Sequence, residues 1–159
     1  MLMTTAGGVH PFPMGLERAE NPAAYAGAMS NRRARGVAVA ALALDALLVL
    51  LFTAVGRASH ADDVLAGLAQ TAWPFLLALA VGWLASRAWR APASPVRTGL
   101  PLWAVTVVGG VALRAVSGQG APVAFVVVTA LVLLVLLVGW RLVATLVVRG
   151  RERARAARV

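Results

Sequence analysis

Residues 37–55, VAVAALALDALLVLLFTAV, decide the fold: of nineteen positions, eleven are Leu, Val or Phe, and Asp45 alone is charged. A run of this length makes a helix that crosses the ~30 Å hydrocarbon core of a bilayer. On the insertion scale a central Asp costs roughly 2.5–3.5 kcal/mol, while each Leu, Val or Phe returns roughly 0.3–0.6 kcal/mol. Eleven such residues return roughly 3–7 kcal/mol in total. The segment therefore inserts with one carboxylate and has little room for a second.

Three more apolar runs follow outward from this one. They are residues 64–85, interrupted by Pro74, residues 100–116, with Arg114 near the end, and residues 121–148. The whole chain of 159 residues is 60% hydrophobic and only 13% charged, with mean hydropathy +0.81. These values predict an all-α membrane protein of four transmembrane helices, with little chain left for a soluble domain. Short connections between the runs predict two antiparallel hairpins.

The arginines set the orientation, because Lys and Arg concentrate in cytoplasmic segments. Arg32, Arg33 and Arg35 precede the first span, and Arg87, Arg90 and Arg97 fall between the second and third. Arg149, Arg151, Arg153, Arg155 and Arg158 follow the fourth. The opposite side has Arg57, near Asp62 and Asp63, and Arg114. Both termini are thus expected in the cytoplasm, with the chain in a bacterial inner membrane. The net charge of +9 is explained by this placement and does not call for nucleic acid. Residues 149–159 read as a basic cytoplasmic tail that touches anionic lipid.

Residues 1–36 read as a disordered cytoplasmic arm rich in Gly, Pro, Asn and Ala, with no signal-peptide core. Met29 opens MSNRRARGVAVA, which reads as a start in its own right, with residues 1–28 either native or an upstream extension.

An echo runs through the spans. LLALAVGW (76–83) and LLVLLVGW (133–140) share six of eight residues at an offset of 57, and Arg57-Ala58 maps onto Arg114-Ala115 at the same offset. A hairpin duplication with the two halves in parallel would explain the shared register. It would give Gly82 and Gly139 equivalent close contacts, and bring Arg57 and Arg114 face to face. Leucine-rich matching with interfacial Trp and helix-end Arg explains each residue separately.

Intramembrane ionisable residues usually face the bundle interior and find partners. Arg141 is the natural partner for Asp45, and Ala38, Ala41 and Asp45 share a small-residue face that permits close helix approach. This pattern favours a packing ion pair. A proton or ion relay, or a protonated Asp45 bonded to backbone or Thr106, are the alternatives.

A second polar group gathers at the outer helix ends: Arg57 and His60 in GRASHADD (56–63), Gln70 and Thr71 in QTAWPF (70–75), and Arg114 in LRAVSGQG (113–120). Pro74 lacks the N–H that would bond the Gln70 carbonyl. Two arginines and a histidine suit phosphate or carboxylate. A wet loop in which Arg57 pairs with Asp62 or Asp63 is the plainer account.

No chemistry of catalysis is encoded in a recognisable motif. HExxH, GxSxG and the Walker loop are absent. There is no cysteine, which excludes disulfides and thiolate sites. His60 with Asp62 and Asp63 makes an incomplete metal set, so neither metal nor cofactor is expected.

GRASH, TAWPF, GGVALR and GWR, in this order and spacing, resemble the uncharacterised bacterial membrane family called domain of unknown function 3054, frequent in actinobacteria. The resemblance covers about residues 37–148. It implies that Arg57, Ser59, His60, Thr71, Trp73, Pro74, Phe75, Arg114, Trp140 and Arg141 are signature positions, with Asp45 as the first-span acid. It implies an architecture and assigns no reaction.

The expectation is a non-enzymatic binding or transport-type module whose outer polar pocket meets an anionic lipid headgroup or small anion. The alternative is a structural or accessory subunit of a larger membrane complex, with a homodimer also open.

Overall fold

The computed structural model describes residues 22–58 and 64–158, and side chains at 27, 29–56 and 67–158. Four helices account for most of it: α1 (Pro22–Ala58), α2 (Val64–Ala85), α3 (Leu100–Val116) and α4 (Val123–Ala156). Four segments are long and apolar enough to cross a membrane, the third running from Pro95, in the turn before α3, to Val116, and there is no strand among the described residues. The bounds of α2 and α3 coincide with the sequence reading. α1 begins ahead of its expected span, at Pro22, and α4 runs past its expected span to Ala156, so that residues 22–36 and 149–156 are helical. Their Ala and Arg content explains this, since both are good helix formers and a helix propagates more easily than it nucleates. Residues 1–21, also expected in the disordered arm, lie outside the described set.

The packed unit begins at Arg35. Within it α2 and α3 make the most extensive contact, and α3 also packs on α4. Small residues allow the close approach of α2 and α3. Leu102 and Val105 pack over Gly82, Ala78 packs against Gly109, and Phe75 lies on Gly110. The contacts thus descend along α2 as they ascend along α3. α2 runs unbroken through Pro74.

Phe75 joins the helices on which the core depends. It is fully buried, meets Phe52 of α1 edge-on at 5.8 Å, and meets Phe125 of α4 at 6.2 Å. Val49, Leu79, Leu102, Leu133 and Leu137 complete the centre. Many other apolar side chains, such as Val39, Leu47, Val108, Leu131 and Val135, are exposed on the helix surfaces. In water such a surface would be a liability; in a bilayer it is the lipid-facing side of the protein.

Candidate functional site: the Asp45 centre and the helix ends

Asp45, Trp83, Trp140 and Arg141 come together from three helices. Asp45 and Arg141 are both fully buried. Arg141 grips the carboxylate with both ends of its fork, Nη1 donating to Oδ1 at 2.8 Å and Nη2 to Oδ2 at 2.7 Å. Trp83 Nε1 donates to Oδ2 at 2.9 Å, and Trp140 Nε1 donates to Oδ1 at 2.9 Å. Each carboxylate oxygen therefore accepts two N–H groups, about the full capacity of a carboxylate.

The arginine is satisfied from its other side. Nε donates to the Pro92 carbonyl at 2.9 Å, and Nη1 also donates to the Leu137 carbonyl at 2.6 Å. Its guanidinium carbon lies 4.5 Å from the centre of the Trp140 ring, within cation–π range. Gly99 makes room for the arginine stem: a Cβ there would sit 3.2 Å from Arg141 Cδ. The pair thus ties α1 to α4, and through Trp83 and Pro92 it reaches α2 and the loop after it.

Chemically, this is a closed arrangement. A buried ion pair is tolerable only when geometry is good and the remaining donors and acceptors are largely filled; here the carboxylate accepts four N–H groups and the guanidinium donates four of its five. Thr106, the alternative partner for Asp45, is buried but its Oγ1 has no hydrogen-bond partner among the described residues. The hydroxyl of Thr129 is in the same state.

The sequence marked Asp45 and Arg141 but missed Trp83, Pro92 and Leu137 as their partners. The signal for Trp83 was present: it is the residue that the 57-position offset maps onto Trp140. The two tryptophans do hold one carboxylate. The two glycines beside them differ, because Gly82 is packed against Leu102 and Val105 while a Cβ on Gly139 would meet nothing within 4 Å. The expected equivalence of the glycines is corrected accordingly: α3 covers Gly82, and no described residue covers Gly139.

The outer group is less completely described. Arg57 lies within α1, but its side chain, Ser59, His60, Asp62 and Asp63 lie outside the described set, as does the expected meeting of Arg57 with Arg114. Gln70 is exposed and Thr71 half-buried. The Thr71 hydroxyl donates to the Gly67 carbonyl of its own helix at 3.0 Å. Arg114 is bound into the loop after α3, with Nε donating to the Gly120 carbonyl at 2.8 Å and Nη1 to Gln119 Oε1 at 3.2 Å. Its guanidinium carbon stands 4.5 Å from the Phe125 ring centre. The expected pocket rests in part on Arg57 and His60, whose side chains lie outside the described residues. No group of three His, Cys, Asp or Glu suited to a metal occurs among the described residues.

Four apolar helices around a closed polar centre define a multi-pass α-helical membrane protein. The chain belongs to the family described as Protein of unknown function (DUF3054), whose model matches residues 42–144. That range takes in α2 and α3 whole and parts of α1 and α4, and includes Asp45, Trp83, Arg114, Trp140 and Arg141. No curated protein and no solved structure matches the chain.

Proposed function

We propose that the protein is a non-enzymatic inner-membrane module, both termini cytoplasmic, that binds an anionic lipid headgroup or small anion at its outer face. Its helices form two antiparallel hairpins locked by Asp45 and Arg141. The observation that carries the reading is the state of Arg114. Its loop and Phe125 already fix this cation at a helix end, so little side-chain entropy remains to be lost on meeting an anion. Arg57, His60, Gln70 and Thr71 are the groups expected to join it. The closed Asp45 centre adds support from the other direction, since a fully occupied and fully buried carboxylate is poorly suited to relay protons or ions.

Native mass spectrometry of the full chain, gently solubilised, tests the proposal. A bound anionic lipid or small anion that is lost on Arg114→Ala or Arg57→Ala is the expected result. Stable capture of a single partner protein, with no bound small molecule, would replace it with the accessory-subunit reading. Reporters fused to each terminus check the orientation, and activity only outside the cell would overturn it.

A further inference from the structure

The loop between α2 and α3 holds a second concentration of polar chemistry, which the Asp45 centre does not use. Arg87, Arg90 and Arg97 line one concavity of about 240 Å³ together with Ser86, Ala91 and Thr98. None of the three guanidinium groups makes an ion pair or a side-chain hydrogen bond among the described residues. Three like charges around one space repel each other unless an anion lies between them.

The loop that carries them is held in place. Ala88 is fully buried, as is nearly all of Thr98, whose hydroxyl donates to the Ala91 carbonyl at 2.7 Å. The Arg97 backbone N–H donates to Ser94 Oγ at 3.2 Å. Arg87 takes a left-handed conformation, φ 48° and ψ 47°, which non-glycine residues adopt only where their surroundings enforce it. Arg141 anchors the middle of the loop at the Pro92 carbonyl. The arginines are therefore presented by a braced segment and not by a floppy one.

The dimensions and surroundings select the ligand. The volume is below the roughly 300–1,000 Å³ of pockets for drug-sized molecules, so it suits a charged head and not a whole metabolite. Arginine forks match phosphate oxygens in pairs. Trp89 and Val96, interleaved with the arginines, are exposed at 47% and 69%. An exposed tryptophan beside basic residues belongs at headgroup depth in a membrane.

We propose that this concavity is a phosphate-binding site formed by Arg87, Arg90 and Arg97. Its ligand is a phosphate group, carried by an inner-leaflet lipid headgroup or by a soluble phosphorylated molecule. The site is separate from the outer one, and either can fail alone.

The test uses the full chain in mild detergent. It is exposed to vesicles of phosphatidylglycerol or phosphatidylcholine and then examined by native mass spectrometry, with inorganic phosphate as the soluble probe. The wild type is expected to retain phosphatidylglycerol, with at least a tenfold loss in R87Q/R90Q/R97Q. The variant R149Q/R151Q/R153Q removes the same charge from α4 and is expected to retain it. Displacement of the lipid by millimolar inorganic phosphate, or binding of phosphate alone, supports the soluble source; resistance to displacement supports the lipid. Equal loss in both triple variants, or no retention of either probe by the wild type, overturns the proposal. Should R87Q/R90Q/R97Q fail to fold, R90Q/R97Q decides, and unchanged retention there overturns it too.

Discussion

Trp83 and Trp140 donate to opposite oxygens of one buried carboxylate, each at 2.9 Å. The relationship places the two indoles as a matched clamp on Asp45, while Arg141 fills the remaining positions. Replacing either tryptophan by phenylalanine keeps an aromatic ring and removes one donor to a charged acceptor. The expected cost is about 1.5–3 kcal/mol for each, read as a lowered midpoint in denaturing-detergent titration. Trp140→Phe is expected to be the more damaging, because its ring also faces the arginine. A midpoint unchanged in both variants would remove the clamp from the account of stability.

The ion pair itself should be costly to halve and cheaper to remove whole. Asp45→Leu or Arg141→Leu leaves an uncompensated charge buried among helices, with an expected loss of about 3–5 kcal/mol. The double variant removes both charges and should cost less than either single one, so that a double-mutant cycle gives a coupling at least as large as one single loss. Asp45→Asn separates structure from relay. Loss of folded protein is expected from a packing pair; normal folding with lost function would revive the relay.

Much of this was legible in the sequence, and the limits have physical causes. Hydropathy placed all four helices because a bilayer demands long apolar runs, and Asp45 and Arg141 stood out because charge is rare at that depth. α1 and α4 extend past the apolar runs because hydropathy reports where the bilayer ends, while Ala and Arg let a helix run on beyond it. The offset pairs Trp83 with Trp140, and an interfacial belt explains each alone, but a single sequence does not show which side of a helix meets a distant carboxylate. The concavity at Arg87, Arg90 and Arg97 was hidden for a related reason. Those arginines already had a sufficient explanation in topology, and only the folded loop brings them around one space.

The contact between Phe75 and Gly110 sets a steric limit. A Cβ on Gly110 would run into the Phe75 ring, which is itself held between Phe52 and Phe125. Overpacking of a close-fitted core typically costs about 1–3 kcal/mol, and Gly110→Ala is expected to fall in that range. Phe75→Leu in the Gly110→Ala background should return part of it by giving the methyl group space. Gly139→Ala, where no described residue lies within reach of the added methyl, is the control and should hold or raise the midpoint, since alanine is the better helix former.

Thr106 and Thr129 offer the opposite experiment, in which a substitution improves the protein. Both hydroxyls are buried without a hydrogen-bond partner among the described residues. A buried polar group left unbonded costs about 1–3 kcal/mol, and valine reproduces the shape of threonine without it. Thr106→Val and Thr129→Val are therefore expected to hold or raise the unfolding midpoint, by up to about 1–2 kcal/mol each. Thr98→Val differs in that the Thr98 hydroxyl bonds the Ala91 carbonyl at 2.7 Å. That variant should lower the midpoint, because the α2–α3 loop loses one of its braces. If the three valine substitutions behaved alike, hydroxyl bonding would not be what distinguishes these positions.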